Sequence, residues 1–242
     1  MKDGKFRNWA ELPSDLTFSI LLRVSVPDRL ENAQNVCRSW RSVCKEPSLW
    51  REIDLRHLEN LKSMETMCRR AVDLSRGGLL EINIENFGNN SLLAYIADRS
   101  SNLKRLRIAE FEEITKLGLM KAVTKLPLLE ELELSCCRFD DVFDLKGVGF
   151  ACPNLKTLKV NYVGFYYKHV ECDDDALAIA ESMTKLRRLQ LLGNRLSHRG
   201  LIAILDNCPH LEHIDLRHGL KISVVGDVDK FEAFRGIQEL SR

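Results

Sequence analysis

The sequence predicts an α/β fold: a small helical unit followed by a right-handed solenoid, with parallel strands on its concave side and helices on its convex side. Three observations predict it. First, the frame of Leu211, Ile214 and Leu216 in "LEHIDL" recurs. It returns at Leu79, Ile82, Ile84; Leu103, Leu106, Ile108; Leu129, Leu132, Leu134; Leu155, Leu158, Val160; and Leu186, Leu189, Leu191, with a divergent copy at Trp50, Ile53, Leu55. The first positions of the six good copies step by 24, 26, 26, 31 and 25 residues, the mark of a repeat architecture. Second, the alternation within each copy gives way between copies to a helical period, as around Leu117, Met120, Val123 and Thr124 or Ala178, Glu181 and Ser182, so each unit is a strand plus a helix. Third, residues 1 to 49 do not follow the frame.

That first stretch, "NWAELPSDLTFSILLRVSVPDRLENAQNVCRSWRSVCKEPSLW", reads as two helices. Ser14 is placed to cap the first, and Asp15 suits its positive end. Pro27 breaks the chain before a second helix carrying Leu30, Ala33, Val36, Cys37 and Trp40 at helical spacing. In the first helix Leu16, Phe18, Ile20, Leu21, Leu22 and Val24 surround most of the axis. Such a helix needs cover nearly all round, and fewer than 50 residues have too little interior to provide it. Part of that surface must meet the solenoid or another protein.

From residue 50 to 242 the chain reads as the solenoid. One unit cannot bury its apolar side alone, so neighbours stack and their leucines form one core. The fullest copy, "LRRLQLLGNRLSHRGLIAILDNCPHL", has Asn194 after the strand, Gly200 and Leu201 opening the helix and Cys208 at its end. The long step between Leu155 and Leu186 puts its excess in "NYVGFYYKHVECDDDAL". Phe165, Tyr166, Tyr167 and His169 are expected on a loop at the edge of the concave face, with Asp173 to Asp175 at the next helix start. "GDVDKFEAFRGIQEL" reads as a final helix capping the array.

Composition excludes several functions. A charged fraction of 29%, 45% apolar residues and a net charge of +1 describe an ordinary soluble protein without the basic excess of a nucleic-acid binder. No apolar run is long enough to span a membrane and the start lacks a signal-peptide core, so the expected location is nucleus or cytoplasm, with neither nucleic acid nor membrane as partner. The eight cysteines contain no C-x-x-C pair, which argues for packing rather than metal or redox work. His210 and His213 share the only paired imidazole spacing, with Leu211 turned inward between them. "GVGFAC" lacks the last glycine of a dinucleotide loop and falls in an expected helix, and Ser197 with His198 looks like a helix cap. No catalytic residue, cofactor or metal site is expected.

Several anchors in order carry a resemblance. Leu12, Pro13, Asp15 and Leu16, then Val36, Cys37, Arg38 and Trp40, then Pro47, Ser48, Leu49 and Trp50 resemble the F-box over residues 9 to 50, and residues 50 to 216 resemble the cysteine-containing leucine-rich repeat. Together they are similar to plant F-box/leucine-rich-repeat proteins. The resemblance implies a non-catalytic substrate-recognition subunit of an SCF cullin-RING ubiquitin ligase. Its F-box would dock on a Skp-type adaptor, and through it on cullin and RING subunits, by Leu12, Pro13, Leu16, Ile20, Pro27, Leu30, Val36 and Cys37, with Trp40 bracing the helices from inside. Thr17 departs from the family pattern, which commonly has leucine there.

A protein target would meet the concave face. Strand residues between the leucines point there, since side chains alternate, which makes Arg105, Arg107, Glu131, Glu133, Lys159 and Arg188 candidates together with Tyr166 and Tyr167. Two alternatives remain at this level: a repeat adaptor outside any ligase, and a small-ligand receptor in which Arg105, Arg107, Lys159 and Arg188 hold phosphates.

Overall fold

The computed structural model describes residues 9–57, 63–110, 113–135, 144–161 and 172–217. Seven strands, β1 (Glu52–Leu55), β2 (Glu81–Glu85), β3 (Arg105–Ala109), β4 (Glu131–Ser135), β5 (Thr157–Asn161), β6 (Arg188–Leu192) and β7 (His213–Asp215), form one parallel sheet in sequence order. The register is the one the leucine frame requires. Leu106 pairs with Leu132, Leu132 with Leu158 and Leu158 with Leu189, and each of these four is buried. The 31-residue step leaves this register unchanged, since Leu158 and Val160 still face Leu189 and Leu191.

A backbone ladder fixes the spacing. The carbonyl of Arg51 accepts from the N–H groups of Leu80 and Glu81 at 2.8 and 3.1 Å, and Leu80, Lys104, Glu130, Lys156 and Arg187 do the same for the following repeat. Each carbonyl takes two donors, using both lone pairs, so the strand entry of every repeat is tied to the next. The turn that leaves the strand is left-handed at His57, Asn86, Glu110 and Gly193.

Helices cover the leucine side of the sheet: α5 (Met64–Ser75), α6 (Asn90–Arg99), α7 (Lys116–Val123), α8 (Leu145–Ala151), α9 (Asp174–Ser182) and α10 (His198–Asn207), numbered after the four shorter helices of the N-terminal unit. In α7 the inward face is Leu119, Ala122 and Val123, and in α9 it is Ala176, Ile179 and Ala180. Leu117 and Ala178, read from the sequence as part of that stripe, are 63% exposed and half-buried respectively, a shift in helical phase of one to two residues. Ser197 caps α10, accepting from the N–H groups of Arg199 and Gly200.

Asp174 and Asp175 lie in the first turn of α9, and Asp173 immediately precedes it. Asp173 makes no cap bond to its own helix. Its carboxylate instead accepts from the Ser197 N–H at 2.8 Å and the Ser197 hydroxyl at 2.6 Å, bracing the cap of the next repeat. A Cβ at Gly200 would lie 2.2 Å from Asp173 Oδ1, and one at Gly118 would lie 1.8 Å from the matching Asn90 Oδ1. Glycine in the first turn is thus what lets one repeat's polar side chain reach the next repeat's cap.

The six cysteines among the described residues are free thiols, and Cys44, Cys68, Cys152 and Cys208 are buried. Cys152 and Cys208 end α8 and α10, point at the Leu126 and Met183 carbonyls of the preceding repeat at 3.5 and 3.6 Å, and are pushed by burial up to about 12 and about 11. Asn194 is buried, with Nδ2 donating to the carbonyls of Leu191 and Leu216 and Oδ1 accepting from the Leu196 N–H.

The N-terminal unit consists of α1 (Ser14–Leu21), α2 (Val26–Asp28), a wide π turn over Arg29–Ala33, α3 (Gln34–Val36), α4 (Arg38–Val43) and a 3-10 turn over Pro47–Trp50. Ser14 is the first residue of α1 rather than its cap. Pro13 holds the cap position without a side-chain bond. The single second helix expected from spacing is interrupted at Cys37, which is extended at φ −162° and accepts the Trp40 N–H on its sulfur. The π turn adds a residue per turn and rotates the chain beyond it, so Leu30 and Ala33 face inward while Val36 faces out.

One apolar cluster runs from Leu21 through Trp50 to Ile214 without a break. At the junction Arg29 is buried, donates from Nη1 to the Leu49 carbonyl at 2.8 Å and lies 5.0 Å over the Trp50 ring, while Trp50 Nε1 donates to the Cys44 carbonyl at 2.9 Å. Desolvation holds the Arg29 guanidinium below its ordinary value. The C-terminal helix expected in 218–242 and the aromatic loop of Phe165, Tyr166, Tyr167 and His169 lie outside the described residues.

Candidate protein-docking surfaces

Two surfaces stand out, one on the helical unit and one on the sheet. In α1, Thr17 and Leu21 point inward and are fully buried, while Leu16 and Leu22 are about half exposed. Trp9 at 62% and Val36 at 53% complete the set on this unit. Of the eight large hydrophobic residues exposed among the described residues, four therefore fall between positions 9 and 36.

Of the eight positions expected on this face, Leu16 and Val36 are exposed apolar groups, Pro13 is exposed, and Leu12, Ile20, Pro27 and Cys37 are half-buried. Leu30 is a correction. At 4% exposure it belongs to the core beneath the π turn and offers no surface to a partner. Trp40 is half-buried against the core, and its indole donates to the Trp9 carbonyl at 3.2 Å.

The sheet's other face is open to solvent, and its charges are largely spent on one another. Arg105 reaches Glu81 at 2.6 Å; Arg107 meets Glu133 at 2.8 Å and Glu85 at 3.6 Å; Lys159 meets Glu133 at 3.1 Å and Glu131 at 3.7 Å. Burial pushes the Glu133 carboxyl up, but the hydrogen bonds from Arg107 and Lys159 outweigh it and hold the group below the ordinary value. Neutral groups continue the network toward the C-terminal end: Gln190 Nε2 donates to Asn161 Oδ1 at 3.1 Å, and Asn161 Nδ2 to the Ser135 hydroxyl at 2.9 Å. Arg188 is exposed, and its side chain makes no hydrogen bond or ion pair with any described residue. A phosphate site built from Arg105, Arg107, Lys159 and Arg188 is not what the geometry offers, because three of the four cations already hold carboxylates.

No cluster of three or more metal-ligating side chains occurs among the described residues, and none of their helices is long and apolar enough to cross a membrane.

The F-box-like family model matches residues 9–56. Over nearly the whole chain, relatives from Arabidopsis thaliana agree closely. F-box/LRR-repeat protein 9 is 52% identical across 95% of this chain and 95% of its own length, and F-box protein SKIP19 is 54% identical across 98% and 79%. The chain belongs to the F-box/LRR-repeat family. F-box/LRR-repeat protein 23 is 54% identical over 99% of the chain, which spans 54% of that relative's length. Among solved structures, the yeast Rad7 and Elc1 complex contains a chain aligning with TM-score 0.48 and 15% identity, covering 84% of this chain and 61% of that one.

The F-box of this chain thus has its exposed apolar groups at Trp9, Leu16, Leu22 and Val36. Leu22 was visible in the sequence only as one of six apolar residues around α1. What separates it from Leu21 is helical phase relative to the core, which depends on where Thr17 packs. Trp9 precedes the regular helices, and no periodicity marks it.

Proposed function

We propose that this chain is a substrate-recognition subunit of an SCF cullin-RING ubiquitin ligase. Its F-box docks on a Skp-type adaptor through Leu16, Leu22, Val36 and the residues around Leu12 and Pro13, and its concave sheet face holds a protein target. The observation that carries the reading is the contrast on α1: Thr17 and Leu21 are sealed in the core while Leu16 and Leu22 stand half exposed. Family membership supports a Skp-type adaptor as the partner for these groups. Arg29 and Trp50 then join the adaptor side to the target side through one core.

The mechanism is positional. No residue of the chain reacts; holding the target on a rigid support beside a charged conjugating enzyme makes an encounter between two proteins effectively intramolecular.

Reconstitution tests it. Purified chain, Skp-type adaptor, cullin and RING subunit should elute as one assembly, and the cullin should be lost when the adaptor is omitted. An adaptor that binds the chain but excludes the cullin would support the alternative of a repeat adaptor outside a ligase and reject this one.

A further inference from the structure

We infer that the β5–β6 stretch of the concave face reads a single carboxylate side chain of the target protein, through Arg188, with Leu192 seating an apolar side chain of the same segment. This rests on the reading of the concave face as the target surface. The argument starts from what is already satisfied. Along the described sheet face, Arg56 is held by Asp54, Arg105 by Glu81, Arg107 by Glu133, Lys159 by Glu133 and Glu131, and Arg217 by Asp215. Breaking any of these to bind a new partner leaves a carboxylate behind. Arg188 has nothing to lose: its side chain is exposed and without a partner among the described residues.

Its surroundings fit one kind of ligand group. The outward positions of β5 and β6 are Thr157, Lys159, Asn161, Arg188, Gln190 and Leu192, with no acid among them. The amides of Asn161 and Gln190 are tied into the hydrogen-bonded row that ends at Ser135, so a neutral polar rim is already ordered beside the guanidinium. Arginine is the side chain whose planar fork takes a carboxylate by two parallel hydrogen bonds, and it is enriched among residues that dominate interfaces.

The charge count selects carboxylate over phosphoryl. A phosphoryl group carries a charge of about −1.5 to −2 and needs more than one free cation. On the strands either side, Lys159 of β5 is held by Glu133 and Glu131, and Arg217 after β7 is held by Asp215, leaving one uncommitted arginine or lysine charge for one negative charge. The spacing adds a second constraint. Arg188 and Leu192 share a face four residues apart on one strand, about 13 Å at ~3.3 Å per residue, so an extended target segment presents its acid and its apolar group at the first and fifth positions.

The test is a titration of the full chain, followed by the Arg188 side-chain N–H and Leu192 methyl resonances, with blocked pentapeptides that carry leucine at position five. The first position is aspartate, asparagine or phosphoserine. The aspartate peptide should shift both resonances saturably and bind at least tenfold tighter than the asparagine peptide, with phosphoserine gaining no more than tenfold over aspartate. Arg188→Gln should erase the difference between aspartate and asparagine without moving the thermal midpoint. Equal binding of the aspartate and asparagine peptides, or a difference that survives in Arg188→Gln, overturns the inference; a phosphoserine gain above tenfold overturns it in favour of a phosphorylated target. Adaptor binding by Arg188→Gln, measured alongside, should equal wild type, so failure at β6 is distinguishable from failure of the F-box reading.

Discussion

The repeats and the F-box are built from similar fractions of apolar residues and use them differently. In the repeats the frame positions from Leu79 to Leu191 are buried to 2% exposure or less, because each strand and helix has a neighbour on both sides. In the F-box, helices only three to eight residues long pack mainly on one another, α1 and α3 on α4, while α2 and the Pro47–Trp50 turn meet the first repeat, and Leu16, Leu22 and Val36 remain outside. The repeats complete their own interior; the F-box leaves part of its interior to be completed by a partner. Mutations should therefore separate the two regions by what they damage.

The largest effect is expected in the repeats. Leu132→Ala, Leu158→Ala and Leu189→Ala each open a cavity between stacked strands and should cost about 2–5 kcal/mol, measured by denaturant unfolding. Midpoints equal to wild type would break the comparison at its root.

At the junction, Arg29→Gln removes a charged hydrogen bond to the Leu49 carbonyl and the contact with the Trp50 ring, a loss of roughly 1.5–3 kcal/mol. Because one core spans both regions, indole fluorescence and far-ultraviolet circular dichroism should give coincident transitions in the wild type. An indole transition that precedes the other would show the F-box unfolding by itself.

Thr17→Val sharpens the contrast in the opposite direction. Thr17 is fully buried and its hydroxyl has no hydrogen-bond partner among the described residues, so replacing it by a methyl group should stabilise the chain by about 1 kcal/mol or more. A drop in stability would mean that the hydroxyl is satisfied in solution.

The smallest effect is electrostatic. Glu133 has a folded-state pKa below its ordinary value of 4.5, so the stability it contributes is present above about pH 4.5 and is lost as pH falls through the folded value. Glu133→Gln should flatten the acid limb of the stability curve. A limb unchanged from wild type would mean that the pairing with Arg107 and Lys159 contributes nothing.

The two regions also differed in how far the sequence could be read. The strands and their register followed from spacing because every repeat restates the same geometry, and even the long step after Leu155 left the pairing of Leu158 with Leu189 intact. In the F-box no repetition checks the phase. The π turn at Arg29–Ala33 rotates the chain, which put Leu30 in the core and Val36 outside although both lie on one expected helical stripe. Pairing across strands was equally hidden. The columns of Arg105, Arg107 and Lys159 were legible, but their commitment to Glu81 and Glu133 depends on side-chain geometry between repeats, and so does the isolation of Arg188. Asp173, expected at the start of α9, bonds to Ser197 of the next repeat for the same reason.

The most direct test of the account is the affinity of the purified chain for a Skp-type adaptor, compared between wild type and Leu16→Asp with Leu22→Asp. Both side chains are half exposed in the free chain, so the double variant should keep the wild-type unfolding midpoint to within about 1 kcal/mol, allowing about 0.5 for each surface change. Carboxylates placed in a buried interface should nevertheless reduce adaptor affinity by at least about a hundredfold. Wild-type affinity in a folded double variant would contradict the claim that this face is where the partner completes the F-box.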